Sequence, residues 1–454
     1  MKVLFACWGH YPPTHYHTMV PLAWALRTAG HEARVAGPEE LVEAVTEAGL
    51  TAVPAGMARW FMGNDPWAPE LLQPILMDGT RHSQFFDYTG ADREQWSWEG
   101  LLTLEHVMGS ALYASMNNDR LIDDLVEYAR YWRPDLIISE PYTFAAAIAA
   151  RVTGAAHARI TLAPDIALRA RREFLRLKAQ RPPEQREDPT AEWLGQCLRR
   201  YGHDFDEEII EGHWTIDALP ESLRLDLGLR VVPTRYVPFH GPSVVPDWLR
   251  RPPERRRICL TLGQGGSHVE VGDSLGELLA AMGELDAEVI VTLDAEQLAG
   301  LPGLPGNIRP VGFVPLSELM PTCSVVVHAG GNNTRATAQL YGVPQCFLYS
   351  GWDSAVAAAR IEELGAGLTV PIARIDAGEV RDKLRRLLDE PSFAKAAMEL
   401  RAQMMAQPTT NETVATLERL TARHRAARAD RLPDAGPVRA GARPAAGLAG
   451  APAS

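Results

Sequence analysis

The chain has 454 residues, 46% of them hydrophobic and 22% charged, with 45 Lys plus Arg against 57 Asp plus Glu and a formal charge of −12. That length exceeds one hydrophobic core and sets an expectation of about two to four domains, while the composition excludes a disordered, collagenous or coiled-coil protein. The acidic balance disfavours a general nucleic-acid binder, although a small anion can still be held by local dipoles.

Five cysteines (Cys7, Cys197, Cys259, Cys323, Cys346) form no CxxC and no metal-ligand spacing. Four lie in or beside apolar runs, where a thiol behaves as a small hydrophobe. A reducing, cytoplasmic setting is expected. The opening MKVLFACWGHYPP lacks the pattern of a signal peptide. No stretch approaches a transmembrane helix in length.

In chain order, Lys2–Cys7 reads as a strand buried on both faces of a parallel sheet. A loop with His10, His15 and His17 follows, then a helix over Met19–Ala29 closed by Gly30. Strand His31–Ala36, helix Pro38–Ala48, strand Leu136–Ser139 and helix Phe144–Val152 continue the alternation, which implies a doubly wound α/β sheet. Residues from about 57 to 130 and about 165 to 220 break it. They are rich in aromatic residues, Arg and Glu, as in REQWSWEG over Arg93–Gly100, and are expected to wall a substrate site.

Six prolines and an arginine cluster mark residues 233–257 as an extended linker. A second alternation then begins: strand Ile258–Leu262, turn Gly263–Ser267, helix Ser274–Leu285 and strand Glu288–Leu293. Strand Ser324–His328, a turn at Gly330–Asn333, a helix from Thr334, strand Gln345–Tyr349 and helix Val356–Leu364 follow. The expected domains are 1–232, a linker at 233–257, 258–422, and a disordered tail at 423–454, dominated by Ala, Arg, Gly and Pro.

The strongest chemical signal is His328-Ala329-Gly330-Gly331-Asn332-Asn333-Thr334. A buried strand ends, two glycines turn, and a helix starts, so exposed amides and the positive dipole end form an anion cradle. Asn333 and Thr334 can cap the helix or donate to phosphate oxygens, and His328 adds a donor able to become a cation. The plain alternative is a helix cap. Asp353 lies past the next strand, at the sheet end where ligands sit. There it suits sugar hydroxyls or an N-cap. Phe313, in Gly312-Phe313-Val314-Pro315, suits either base stacking or a core. Gly263-Gln264-Gly265-Gly266-Ser267 is a second Gly-rich turn.

In the first half, a histidine at the head of a cleft-facing helix suits a general base near neutral pH. Glu140 follows strand Leu136–Ser139 and projects at the same sheet end, completing a His–acid dyad able to activate a hydroxyl. No GxGxxG follows the first strand, no GxxxxGK[ST], GxSxG or HExxH occurs, and no DxD pair is placed for Mg²⁺. Neither metal nor cofactor is expected.

Together these residues resemble the glycosyltransferases of B-type fold that decorate natural products, in particular the actinobacterial branch that attaches deoxysugars to macrolides, anthracyclines and angucyclines. The likeness runs through residues 14–56, 132–160, 235–249, 256–263, 314–334 and 342–368 in order. It implies two Rossmann-like domains facing a cleft, with the acceptor in the first and the nucleotide sugar in the second. The family's catalytic His precedes Pro-Leu-Ala by six residues, which is His15 before Pro21-Leu22-Ala23. Its His-orienting Asp falls at Glu140, a longer arm of the same charge.

The resemblance gives the diphosphate turn to His328, Gly330, Gly331, Asn332, Asn333 and Thr334, and donor contacts to Gly263, Phe313 and Val314. Sugar contacts fall to Asp353 and to Ser354, which stands where a Gln is usual. That departure implies a donor other than glucose, a dTDP-deoxysugar ahead of a UDP-sugar. The implied activity is an inverting, metal-independent hexosyl transfer to a hydrophobic aglycone such as a polyketide, in antibiotic biosynthesis. A cytochrome P450-like auxiliary protein serves some relatives and stays an open partner. The competing readings are a non-catalytic partner subunit and a sugar-nucleotide epimerase.

Overall fold

The computed structural model describes residues 1–8, 14–57, 96–263, 271–272, 274–293, 301, 303–350 and 353–431. His10, the turn residues Gln264–Ser267, Gly351-Trp352 and the chain after residue 431 lie outside them.

Short apolar runs punctuated by Gly and Pro form thirteen strands among the described residues. The first seven are β1 (Lys2–Ala6), β2 (Glu32–Gly37), β3 (Thr51–Pro54), β4 (Leu136–Ser139), β5 (Ala156–Thr161), β6 (Trp214–Asp217) and β7 (Val231–Pro233). They make one parallel sheet in the order β3-β2-β1-β4-β5-β6-β7. The rest, β8 (Arg257–Thr261), β9 (Glu288–Val291), β10 (Ile308–Pro310), β11 (Val325–His328), β12 (Gln345–Tyr349) and β13 (Gly367–Pro371), make a second in the order β10-β9-β8-β11-β12-β13. The chain reverses direction across each sheet once, between β1 and β4 and between β8 and β11. In open α/β sheets, ligands bind at such switch points, beyond the carboxyl ends of the strands.

Each sheet is covered on both faces, so its central strands are largely apolar. One face of the first sheet packs Leu4, Ala6 and Ile137 against helices Asp119–Trp132 and Phe144–Thr153. The other packs Val3, Phe5 and Ile138 against the helix Val20–Thr28. The segment expected as a site wall at 57–130 therefore includes a core helix. The one at 165–220 folds into helices Ile166–Ala179 and Pro189–Arg199 and strand β6.

The expected boundary at 422/423 is corrected. A helix runs over Thr410–Arg431 and returns to the first domain, where Val414, Leu417 and Leu420 join the core formed by Val3 and Phe5. Its 3-residue apolar spacing makes a stripe on one face. Beyond residue 422, polar anchors replace apolar ones: Arg425 pairs with Asp135, and Arg428 Nη1 donates to the Thr153 carbonyl at 2.9 Å. Local composition reads as tail because these partners lie far off in sequence. Among the described residues no helix is long and apolar enough to cross a membrane.

Candidate active site

The four loops at the two switch points carry most of the predicted site, and the loops after β10 and β12 carry the rest. His15 lies in a one-turn helix, Thr14–His17, beyond β1, and Glu140 directly follows β4. Gly263 lies just past β8, at φ +71°, and the His328–Thr334 turn follows β11. The two domains meet here, because Asn333 Nδ2 donates to the Thr14 carbonyl at 3.0 Å.

His15 stacks obliquely near Trp8, with ring centroids 5.9 Å apart. The Trp8 amide donates to Thr143 Oγ1 at 2.8 Å, and the Thr143 hydroxyl donates to Glu140. Glu140 also accepts from the Tyr142 amide at 2.8 Å. Trp8 and Thr143 thus connect the two members of the predicted dyad. Burial pushes the Glu140 carboxyl up to about 7, although its hydrogen bonds to Thr143 and Tyr142 and the Arg159 charge oppose that shift. His17 is edge-on to Phe239 at 5.3 Å, and burial, with His240 nearby, lowers it to about 4. A ring so held is a structural histidine.

The turn after β11 is an open helix start. The helix Asn332–Tyr341 begins with Gly331 as N-cap and no side-chain cap, while the Arg335 amide makes the first return bond to the Gly331 carbonyl. The amides of Asn332, Asn333 and Thr334 therefore precede the helical ladder and present a positive end. Gly330 has φ +92°, and an added Cβ would lie 2.6 Å from Phe347 Cε2 and 3.1 Å from Ser354 Cβ. Only glycine fits there.

His328 requires a correction. It is fully buried, its Nδ1 accepts from the Gly330 amide at 3.0 Å, and its Nε2 meets Gln345 Oε1 at 2.8 Å. With Nδ1 an acceptor, Nε2 carries the proton and the ring is neutral. Burial lowers it to about 4. His328 is thus no cation for a phosphate. It braces the turn from beneath, and it takes up the Gly330 amide that the cradle reading had offered to a ligand.

Asp353 begins the helix Asp353–Glu363, hydrogen-bonds Asn332 and lies 3.9 Å from the Arg335 guanidinium. Burial raises its carboxyl, with Arg335 pulling the other way. Ser354 Oγ donates back to the Ser350 carbonyl at 3.0 Å, so this side chain serves the packing under Gly330. Phe313 is 59% exposed, which rules out the core reading. Val314 is buried with Leu319 and Val326, leaving only its backbone for a ligand.

Arg335 was not predicted. It is 1% exposed, and its Nη2 donates to the Leu162 carbonyl of the first domain at 3.1 Å. Its place one residue after the turn was the available signal, but a charged residue early in a helix reads as solvated.

Two parallel-sheet domains whose switch points face each other are the architecture of the glycosyltransferases of the B-type fold. Residues 24–263 and 276–420 match the N- and C-terminal domains of the erythromycin biosynthesis protein CIII-like family, and the chain belongs to it. The protein is a glycosyltransferase. It is 45% identical to the 3-alpha-mycarosylerythronolide B desosaminyl transferase of Saccharopolyspora erythraea, over 94% of this chain and 99% of that one. It is also 45% identical to the 10-deoxymethynolide desosaminyltransferase of Streptomyces venezuelae, over 95% and 99%. Among solved structures, the glycosyltransferase VinC in complex with dTDP superposes with a TM-score of 0.82 at 36% identity, covering 93% of this chain and all of that one.

Proposed function

We propose that the protein transfers a deoxysugar from a dTDP-sugar to a hydroxyl of a polyketide aglycone, with inversion at the anomeric carbon. His15 takes the hydroxyl proton as the acceptor oxygen attacks that carbon. The bond from the carbon to the diphosphate oxygen breaks, and the diphosphate leaves with the electron pair. Glu140, ionised, steadies the imidazolium by its negative charge from the far side of Trp8 and Thr143. The amides of Asn332, Asn333 and Thr334 receive the growing charge without reorganising. Asp353 faces the sugar hydroxyls, and Phe313 offers an exposed ring to the base. No step needs a metal.

The observation that carries this reading is the Asn333–Thr14 hydrogen bond, which puts the Gly330–Thr334 turn against the helix of the proposed base. The dTDP bound to VinC and the macrolide aglycones named for the two relatives support the donor and acceptor classes. The test is mass spectrometry of the reverse reaction, offering dTDP and a panel of macrolide and anthracycline glycosides. Aglycone plus dTDP-deoxysugar is expected from the wild type, and none from His15→Ala. Full turnover by His15→Ala would remove His15 as base.

A further inference from the structure

Arg335 is the bulkiest of the fully buried side chains among the described residues. It starts one residue after the Gly330–Thr334 turn, and the two ends of its fork address different domains. Nη2 donates to the Leu162 carbonyl, just past β5 in the first domain, at 3.1 Å. Nη1 lies 3.9 Å from the Asp353 carboxylate in the second. That is near enough for charge and too far for a hydrogen bond, and Nη1 makes none among the described residues.

The two partners differ in what they can reach. The Arg335 side chain is 1% exposed, whereas Asp353 keeps 19% of its side chain open. The guanidinium therefore cannot touch a ligand itself. It stands behind a carboxylate that can. Asn332 hydrogen-bonds Asp353 as well, but it is neutral. Among the described residues, Arg335 supplies the opposing charge that acts on Asp353. His328, which also feels the Arg335 charge, is buried and neutral.

Stability does not call for an arginine here. A buried guanidinium that bonds one carbonyl and no carboxylate is costly, and an apolar chain of that length would fill the space without the cost. What an apolar chain cannot do is oppose the effect of burial on Asp353. Burial pushes that carboxyl up, and the Arg335 charge pulls it back. Once protonated, Asp353 would hold a sugar hydroxyl or amino group less strongly than a carboxylate does. Resting on the donor reading above, we infer that Arg335 is a positioning residue for sugar recognition: anchored on the Leu162 carbonyl, it backs Asp353 so that a carboxylate with an open edge meets the sugar.

The test is calorimetry on the full-length enzyme with dTDP and with dTDP-linked desosamine, mycaminose and 2-deoxy-L-fucose, sugars named for its relatives. For the tightest of the three, the ratio of dTDP-sugar affinity to dTDP affinity isolates the sugar. Dividing each variant's ratio by that of wild type at the same pH cancels the titration of dTDP. Asp353→Asn should lower the ratio about tenfold or more at both pH 6.5 and pH 9, the value of hydrogen bonds to a charged group. Arg335→Met should match it at pH 6.5, return to within about threefold of wild type at pH 9 as Asp353 ionises, and keep dTDP affinity within about threefold. The double variant should match Asp353→Asn at both. Arg335→Lys keeps the counter-charge and should stay within about threefold of wild type throughout.

An Arg335→Met ratio equal to wild type at both pH values, or equal to Asp353→Asn at both, overturns the inference. So does an equal loss of dTDP and dTDP-sugar affinity, which marks a merely structural arginine, or a further loss in the double variant. Should Arg335→Met not fold, Arg335→Lys decides: a ratio that falls with dTDP affinity intact overturns the inference. In all these results the donor reading stands. If Asp353→Asn leaves the ratio unchanged, Asp353 does not face the sugar, and that part of the donor reading falls and takes this inference with it.

Discussion

Asn333 and Thr14, 319 positions apart in sequence, are joined by a 3.0 Å hydrogen bond from a side-chain amide to a backbone carbonyl. Asn333 is the second residue of the helix proposed to receive the diphosphate, and Thr14 is the neighbour of the proposed base His15. On that proposal, the bond sets the spacing between leaving-group site and base. Asn333→Ala should lower kcat/KM about two- to tenfold, in line with one net hydrogen bond of about 0.5–1.5 kcal/mol. Because the contact is part-buried and separate from either core, Tm should move by less than about 2 °C. Steady-state kinetics with a thermal melt check both. Unchanged kinetics would mean that the spacing is held elsewhere, for example by Tyr236, whose hydroxyl bonds Asn333 and Thr337.

Gly330 is a sharper test of the turn. Alanine there meets both a left-handed backbone, costing on the order of 1–3 kcal/mol, and the Phe347 ring at 2.6 Å. Gly330→Ala is expected to weaken dTDP binding by at least tenfold in calorimetry and to lower Tm. Gly263 also has positive φ, but its Cβ position is open. Gly263→Ala should therefore cost backbone strain alone and affect Tm less.

The neutral state of His328 makes a prediction about pH. Replacing it with Gln disturbs the acceptor that the Gly330 amide uses and the donor that Gln345 uses. dTDP affinity should fall, with a ratio of wild type to His328→Gln that stays constant between pH 5 and 8. A phosphate-binding imidazolium would instead make that ratio grow as the pH drops. Measuring the ratio cancels the titration of dTDP itself.

Much of this arrangement was legible in the residues. Leu136–Ser139 and Gln345–Tyr349 are found where their apolar runs place them, and both switch points follow from such strands. Strand β5 was missed because His157 and Arg159 interrupt its apolar character, although their side chains are buried. Arg159 and Arg335 escaped for the same reason: a lone arginine reads as solvated until its burial is seen. The return of helix Thr410–Arg431 to the first domain depends on Asp135 and Thr153, partners that no local window contains.

Glu140 connects chemistry and stability through one carboxyl. Its folded value of about 7 lies above the ordinary 4.5, so the fold favours the protonated form. Its contribution to stability is complete below about pH 4.5 and is lost as pH rises through about 7. The full change is roughly 3 kcal/mol for a group this buried. Glu140→Gln cannot ionise, so its stability relative to wild type should improve from pH 5 to pH 8, as urea unfolding at the two values would read. Catalysis runs the opposite way, since only the ionised carboxylate can hold a His15 imidazolium. Wild-type kcat/KM should therefore fall below about pH 7, and Glu140→Gln should be slower by about 10²-fold and lack that limb. A wild-type profile flat from pH 5.5 to 8, with the stability difference also constant, would show that Glu140 does not titrate in this range. Its place in the dyad would then have to be given up.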